Sequence, residues 1–147
     1  MKKLIFLAVT ALAACSQPTT TATTAGDPIP ADVAPYIARA RAPADAEMEA
    51  LTGGVLTIVD GCVRITQPTG NPGRLVVWPA ETTVDASTGA VRIRNGRTGV
   101  EVSVSETVQL SGGESAEIDQ SQLAEAIPAA CPGPYWIAGS QWMVQHQ

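Results

Sequence analysis

The pattern of apolar and polar positions changes near Gly53, and from there onward it is typical of β-strands. Valine and isoleucine alternate with polar residues over positions 90–94 and again over 100–104, as expected for strands with one buried face. Asn95-Gly96 predicts a turn between these two strands, because both residues tolerate positive φ. Val108 and Leu110 continue the second alternation. Further strands are predicted at residues 55–66 and 74–78, and residues 135–144 predict a closing strand or hairpin.

Two stretches have a different pattern and predict short helices. Residues 120–129 follow Asp119, a residue type that favours the N-cap of a helix. Residues 31–52 are alanine-rich and predict one or two short helices or turns, with Pro43 and Asp45 as a helix start. Within residues 55–66, Asp60-Gly61 predicts a bulge or a sharp bend in the strand.

These elements predict a mainly β fold, a small barrel of five to six strands with one short helix. The bent first strand, the paired valine strands and the late helix resemble an OB-fold over residues 53–145. An Ig-like β-sandwich is the alternative, although that fold usually has more strands.

The first residues have the pattern of a secretory signal peptide. Lys2 and Lys3 precede an uncharged apolar run at residues 4–14, which is about half of the roughly 20 residues that a membrane-spanning helix needs. The run ends in Leu12-Ala13-Ala14-Cys15, which resembles the lipobox of bacterial lipoproteins.

The lipobox resemblance implies that the signal is cut before Cys15 and that Cys15 carries the lipid that anchors the protein to a membrane. Ser16 follows the cysteine, and in many diderm bacteria a residue other than aspartate at that position permits export to the outer membrane. The alternative is a plain secreted protein that is cut after Ala14.

The sequence therefore divides into four parts: a signal peptide (1–14), a linker rich in threonine, alanine and proline (15–30), a short helical or irregular segment (31–52) and the β-domain (53–147). Without the signal peptide, seven arginines face fourteen carboxylates, a net charge near −7 (7 positive less 14 negative), and no lysine remains. Such an acidic chain argues against nucleic acid as a partner and against a basic membrane-binding face. We expect the lipid on Cys15 to supply the link to the membrane.

Lipidation of Cys15 leaves two of the three cysteines, Cys62 and Cys131. The envelope of a diderm bacterium is oxidising, so we expect these two to form a disulfide. A redox or metal-binding pair is the alternative, but the chain contains no CxxC motif.

No catalytic motif stands out, and we predict neither an enzyme nor a bound cofactor or metal. His146 is the sole histidine and lies one residue from the C-terminus, a poor position for a held catalytic base. Two sets of acidic residues provide alternatives to a protein without a metal or an active site. A weak calcium site would use Glu114, Glu117 and Asp119, and a glycosidase-like pair would come from Asp60, Glu81 and Asp85.

Aromatic and basic residues provide the candidates for partner binding. Trp78, Trp136 and Trp142 most simply fill the core. The alternative is an exposed aromatic patch, for which Trp142, the tryptophan nearest the chain end, is the first candidate. Three arginines around the Asn95-Gly96 turn form a basic face or the solvated side of a strand. The candidate partner-binding residues are Trp142, Tyr135, Trp136, Arg92, Arg94 and Arg97.

The sequence thus predicts a non-enzymatic, lipid-anchored envelope protein whose β-domain binds another envelope protein or a glycan. A periplasmic inhibitor of a lysozyme or protease is the first alternative. Some lipoprotein lysozyme inhibitors are small disulfide-linked barrels with a loop containing serine and glycine, and residues 86–90 faintly resemble that loop. A carboxylate-dependent hydrolase is the second alternative.

Overall fold

A computed structural model describes residues 34–68 and 73–145 and confirms a mainly β fold. The signal peptide, the linker with Cys15, and His146 lie outside these residues. The strands of the described part are β1 (Ala38–Arg39), β2 (Ala50–Val59), β3 (Cys62–Thr66), β4 (Arg74–Trp78), β5 (Thr83–Asp85), β6 (Arg92–Arg94), β7 (Glu101–Ser103), β8 (Thr107–Ser115) and β9 (Tyr135–Val144). None of these residues forms a helix long and apolar enough to cross a membrane.

The strands form two sheets, and the described residues contain more strands than the five or six predicted. The larger sheet has the order β1-β4-β3-β2-β8-β9, and the smaller one is an antiparallel β5-β6-β7 meander. In addition, β4 pairs in parallel with β9. Consequently the two ends of the series β4-β3-β2-β8-β9 are hydrogen-bonded to each other.

Residues 55–66 form a hairpin and not one bent strand. Asp60 and Gly61 both have positive φ, 52° and 75°, and Val59 pairs directly with Cys62 across the turn. Two consecutive positive φ values suit the two-residue turn of a hairpin, and asparagine, aspartate and glycine adopt them most readily. The sequence therefore correctly predicted an interruption at Asp60-Gly61, but the prediction of a bulge or bend within one strand is wrong, because the two residues form a hairpin turn.

The α-helices predicted from the sequence are absent from the described residues. In the described part of segment 31–52, backbone groups pair with strands: Tyr36 N–H donates to the Gly61 carbonyl and Ala40 N–H to the Trp78 carbonyl. In residues 120–129 only a 3₁₀ turn forms, at Gln120–Gln122, and the Asp119 carboxylate caps it by accepting from Ser121 N–H at 2.9 Å. The predicted cap is thus present without the predicted helix.

The core has two parts, one on each side of the β3–β4 pair. The inner part joins Ile65 and Trp78 to Ile93 and Val102 of the smaller sheet, which therefore packs against the larger sheet. The outer part, which includes Leu75, lies beneath the chain that leads from β8 to β9. Both faces of β3 and β4 are thus covered, and apolar residues occupy three of the five positions of β3 and four of the five positions of β4.

One glycine permits the close approach of β2 and β3. A Cβ atom at Gly54 would lie 2.4 Å from the Thr66 carbonyl oxygen, whereas at Gly53 its nearest neighbour would be 3.8 Å away. Gly54 therefore has a packing role, and Gly53 leaves an open position on the outer side of β2.

Candidate functional site

The three tryptophans lie in the core, which confirms the simpler prediction for them. Trp142, the first candidate for exposure under the alternative, is only 4% exposed, so that alternative is wrong. It pairs with Leu110 of β8, and its Nε1–H donates to the Gly139 carbonyl at 2.7 Å. Trp136 is also buried and donates to the Ser111 carbonyl, while Tyr135 stays partly exposed. The tryptophans therefore form no exposed aromatic surface.

The three arginines of the predicted basic face lie among carboxylates. Arg92 and Arg94 flank Ile93 in β6, and both arginines are exposed while Ile93 is buried, as the alternating pattern predicted. The strand register places Arg92 opposite Asp85 and Arg94 opposite Glu101. The neighbouring carboxylates reduce the positive potential that a basic docking face would need.

Arg97 forms two ion pairs. Its guanidinium nitrogens lie 2.9 Å from a Glu47 oxygen and 3.4 Å from a Glu81 oxygen. These ion pairs engage Arg97, one of the three predicted basic residues, in contacts within the protein.

The predicted disulfide between Cys62 and Cys131 is present. Both cysteines are almost fully buried in the outer part of the core. Arg64 lies beside them and is 5% exposed, and its guanidinium donates to the carbonyls of Gly73 and Pro132. The disulfide and this arginine hold the chain before β9 against β3.

The carboxylates considered for hydrolysis are not brought together. Asp60 lies in the β2–β3 turn, Glu81 contacts Arg97, and Asp85 accepts hydrogen bonds from Ser87. Each therefore occupies a different local structure.

The carboxylates considered for calcium binding also have separate structural contacts. Glu114 lies 2.8 Å from Arg74, and Asp119 caps the 3₁₀ turn. Among residues 34–68 and 73–145, no group of three or more histidine, cysteine, aspartate or glutamate side chains is arranged to hold a metal ion.

Sequence reasoning missed Glu47, which joins three parts of the chain. One carboxylate oxygen accepts hydrogen bonds from the N–H and hydroxyl of Ser140, both at 2.8 Å, and the other accepts from Arg97. These contacts fasten residues 41–49 to β9 and to the β6–β7 turn. No local sequence motif could predict that Glu47 links these segments, because its partner Ser140 is 93 residues away in sequence.

The contacts of Glu47 predict a pH dependence of stability. The hydrogen bonds from Ser140, first from its N–H and then from its hydroxyl, lower the pKa of Glu47 below its ordinary value. A lowered folded-state pKa stabilises the protein above the unfolded-state pKa, and that stabilisation is lost as the pH falls through the folded-state pKa. The Glu47→Gln variant should thus be less stable than wild type at pH 7, and the difference should shrink toward pH 3.

Denaturant unfolding of both proteins across this pH range measures the effect. Glu49→Gln, a change at a neighbouring exposed position, is the matched control and should alter stability little at either pH. A difference between wild type and Glu47→Gln that stays constant from pH 7 to pH 3 would contradict this role of the carboxylate.

A further surface stands out because it carries no charge. Residues 50–59, 107–113 and 135–144 belong to the adjacent strands β2, β8 and β9 and contain no charged side chain. The strand register places Gly53 beside Gln109, and Gln109 beside Met143. We call the outward side of these strands the neutral face, and it consists of Leu51, Gly53, Val55, Thr107, Gln109 and Met143.

The neutral face also exposes apolar side chains. In the described part of the chain, four large hydrophobic residues are exposed, and two of them, Leu51 (57%) and Met143 (48%), lie on this face. A third, Met48, lies at its edge beside Glu49. A shallow recess of about 390 Å³ opens at Gly53, where no side chain fills the surface.

Comparisons with known proteins give no assignment. The chain matches no family model, and no curated protein or solved structure is significantly similar to it.

Proposed function

We propose that this protein is a lipid-anchored, non-catalytic protein of the bacterial cell envelope, and that its β-domain binds another envelope protein through the neutral face. The observation that carries the proposal is the absence of charged side chains from residues 50–59, 107–113 and 135–144 of three adjacent strands in an acidic chain, combined with the exposure of Leu51 and Met143. The centre of a protein–protein interface is depleted of charged residues and enriched in methionine, and it is surrounded by a polar rim.

A protein fits this surface better than a glycan does. The six residues of the neutral face include no aromatic ring on which a sugar could stack, and the buried tryptophans cannot supply one. An aliphatic and amide surface with a recess instead suits apolar side chains from a partner, while carboxylates such as Glu49 form the rim.

We further propose that the fold is an OB-like barrel. Support comes from the series β4-β3-β2-β8-β9 with its parallel β4–β9 pairing, which resembles the strand order of an OB barrel. OB-folds usually bind ligands on the face of their second and third strands, which here correspond to β3 and β4.

That usual ligand face is covered in this chain. The segment between β8 and β9 lies over it, fixed by the Cys62–Cys131 disulfide and by a hydrogen bond from Leu75 N–H to the Pro134 carbonyl. The neutral face lies on other strands and remains open, which favours it as the binding surface.

The anchor is proposed from the lipobox-like sequence that ends at Cys15, which also makes the outer membrane the expected location. A Cys15→Ala variant should move from the membrane fraction to the soluble fraction or retain its signal peptide, because only the thiol of cysteine can accept the diacylglycerol group. More than one acyl chain is needed for stable anchoring, so the shift should be nearly complete. Cell fractionation with immunoblotting measures both the location and the length of the variant, and Ser16→Ala is the control. A Cys15→Ala protein that has lost its signal peptide but stays in the membrane fraction would refute the anchor.

Charge placed on the neutral face should abolish partner binding. We expect the Leu51→Glu/Met143→Glu variant to co-purify at least tenfold less partner from cross-linked envelopes, because two carboxylates would have to be desolvated in the interface. Quantitative mass spectrometry of the co-purified proteins provides the measurement.

Val84→Glu is the matched control for that variant, since Val84 is 40% exposed but lies on the smaller sheet. Both variants should keep the unfolding midpoint of the wild-type protein. Equal recovery of the same partner by wild type and the double variant would contradict binding at the neutral face.

Inhibition of a lysozyme or protease is a second candidate function, favoured by one observation. Residues 86–90 join β5 to β6 and are all exposed, and the Asp85 carboxylate fixes the start of this loop by accepting from Ser87 N–H and Oγ. Inhibition assays with lysozymes separate the two functions, because inhibition that is lost on shortening this loop and retained in Leu51→Glu/Met143→Glu would assign the activity to the loop.

A further inference from the structure

A second recess lies on the outer side of the β4–β9 pair. Val77 of β4 and Ile137 of β9 form its floor, Leu123 and Ile118 form one wall, and its volume is about 280 Å³. We call it the acidic groove, because Glu117 and Asp119 are the charged residues that line it. It uses β4 and the first part of β9, whereas the neutral face uses the far end of β9 together with β2 and β8.

The wall of the acidic groove is held in place by contacts on its far side. Leu123 is 1% exposed and packs into the outer part of the core. Arg41 N–H donates to the Gln122 carbonyl, and the Arg41 Nε–H donates to the Leu123 carbonyl at 3.1 Å. The groove is therefore formed before any ligand arrives, which lowers the entropic cost of binding.

The charged residues that line the acidic groove are both carboxylates. The residues that line it include two carboxylates and no basic side chain, and the guanidinium of nearby Arg41 is turned to the Leu123 carbonyl. The hydroxyl and the N–H of Ser121 hold the pKa of Asp119 below its ordinary value, so this rim residue is ionised at neutral pH. An apolar floor with an anionic rim is complementary to an aliphatic side chain that has a cation beside it.

The size of the groove limits its ligand. Pockets for drug-sized molecules occupy about 300–1,000 Å³, and this groove falls just below that range. One or two aliphatic side chains fit such a space, and a larger rigid ligand does not.

We propose that the acidic groove binds a cationic, aliphatic segment of a partner protein, with a leucine or isoleucine side chain on Val77 and Ile137 and a lysine or arginine beside Glu117 and Asp119. The proposal is independent of the neutral face, because it requires neither Leu51 nor Met143. Charge complementarity would also speed the encounter with such a segment at low salt.

The test uses three capped tetrapeptides as probes: Lys-Ile-Leu-Lys, Glu-Ile-Leu-Glu and Lys-Ser-Ser-Lys. Methyl NMR of the full folded domain follows Ile118, Leu123 and Ile137 during titration with each peptide. We expect saturable shifts of these methyl groups with Lys-Ile-Leu-Lys alone, and an affinity that falls at least fivefold between 50 and 300 mM salt, because exposed charge pairs are screened over about 10 Å at 0.1 M.

Two variants with the same change in net charge sharpen the test. Glu117→Gln/Asp119→Asn should weaken Lys-Ile-Leu-Lys binding at least fivefold, and asparagine keeps the cap on the 3₁₀ turn. Glu49→Gln/Glu101→Gln removes two carboxylates that do not line the groove and should leave the affinity within twofold. An equal loss in both variants, equal binding of the acidic or serine peptide, or no saturable shift would overturn the proposal.

Discussion

Replacing both Cys62 and Cys131 by alanine should lower the free energy of unfolding by about 4 kcal/mol. The disulfide joins residues 69 apart in sequence, and the chain-entropy model gives about that stabilisation for a loop of this length. The bond also fastens the chain before β9 to the start of β3, so its loss loosens the outer part of the core. Since a small domain is stable by only about 5–15 kcal/mol, this loss would remove a large part of the stability of the fold.

Chemical denaturation of the oxidised wild type and the double alanine variant measures this loss. Reductant added to the unfolded and refolded wild type should bring its stability to that of the variant, and the variant itself should not respond to reductant. A difference below about 1 kcal/mol between the two proteins would show that the disulfide is not a main support of the fold.

Replacing Trp78 by alanine should cost about 3–5 kcal/mol, the usual cost of removing a large aromatic side chain from a core. Trp78 is fully buried and packs edge-on against Trp142, with ring centroids 4.8 Å apart. It lies in the inner part of the core, where the two sheets meet, so its removal leaves a cavity between them.

Trp78→Phe separates volume from hydrogen bonding. Within the described residues, Trp78 Nε1 has no hydrogen-bond partner, so phenylalanine gives up part of the volume but no hydrogen bond. We therefore expect Trp78→Phe to lose clearly less stability than Trp78→Ala, and Val84→Ala, an exposed control, to change it little. If thermal and denaturant unfolding place Trp78→Ala within 1 kcal/mol of wild type, the packing between the sheets does not depend on this side chain.

Strands with strictly alternating sequences were predictable. The alternation of Val91, Ile93 and Val102 with charged residues located β6 and β7, because a strand with one solvated face has a period of two. The pairing of Cys62 with Cys131 was also predicted from sequence, because the expected lipidation of Cys15 and the expected oxidising compartment leave just these two cysteines to pair.

The helices were not predictable, because their local signals were overridden by tertiary contacts. The Asp119 cap is present, but Ala124 N–H donates to the Arg39 carbonyl and Ile127 N–H to the Gln120 side chain, so the amides that would continue a helix are used elsewhere. Local sequence predicts helix caps and helix propensity, but it does not predict which distant strand will form a hydrogen bond with a given backbone group.

The burial of Trp142 and the neutral face were also not predictable, because both depend on which strands are neighbours in the sheet. Trp142 was the first candidate for an exposed tryptophan because of its place near the chain end, yet its alternation within β9 turns it inward opposite Leu110. The neutral face emerges only when β2, β8 and β9 are seen as neighbours, since their three uncharged stretches are far apart in sequence.

Photo-cross-linking in living cells tests the central claim most directly. A photoreactive amino acid placed at Gln109, the centre of the neutral face, should give one discrete adduct with a different envelope protein, and the same residue at Glu101 on β7 should not. The adduct should disappear when Leu51→Glu and Met143→Glu are added. No adduct from position 109, an equal adduct from position 101, or an adduct solely with a second copy of this chain would contradict the proposal that the neutral face binds another protein.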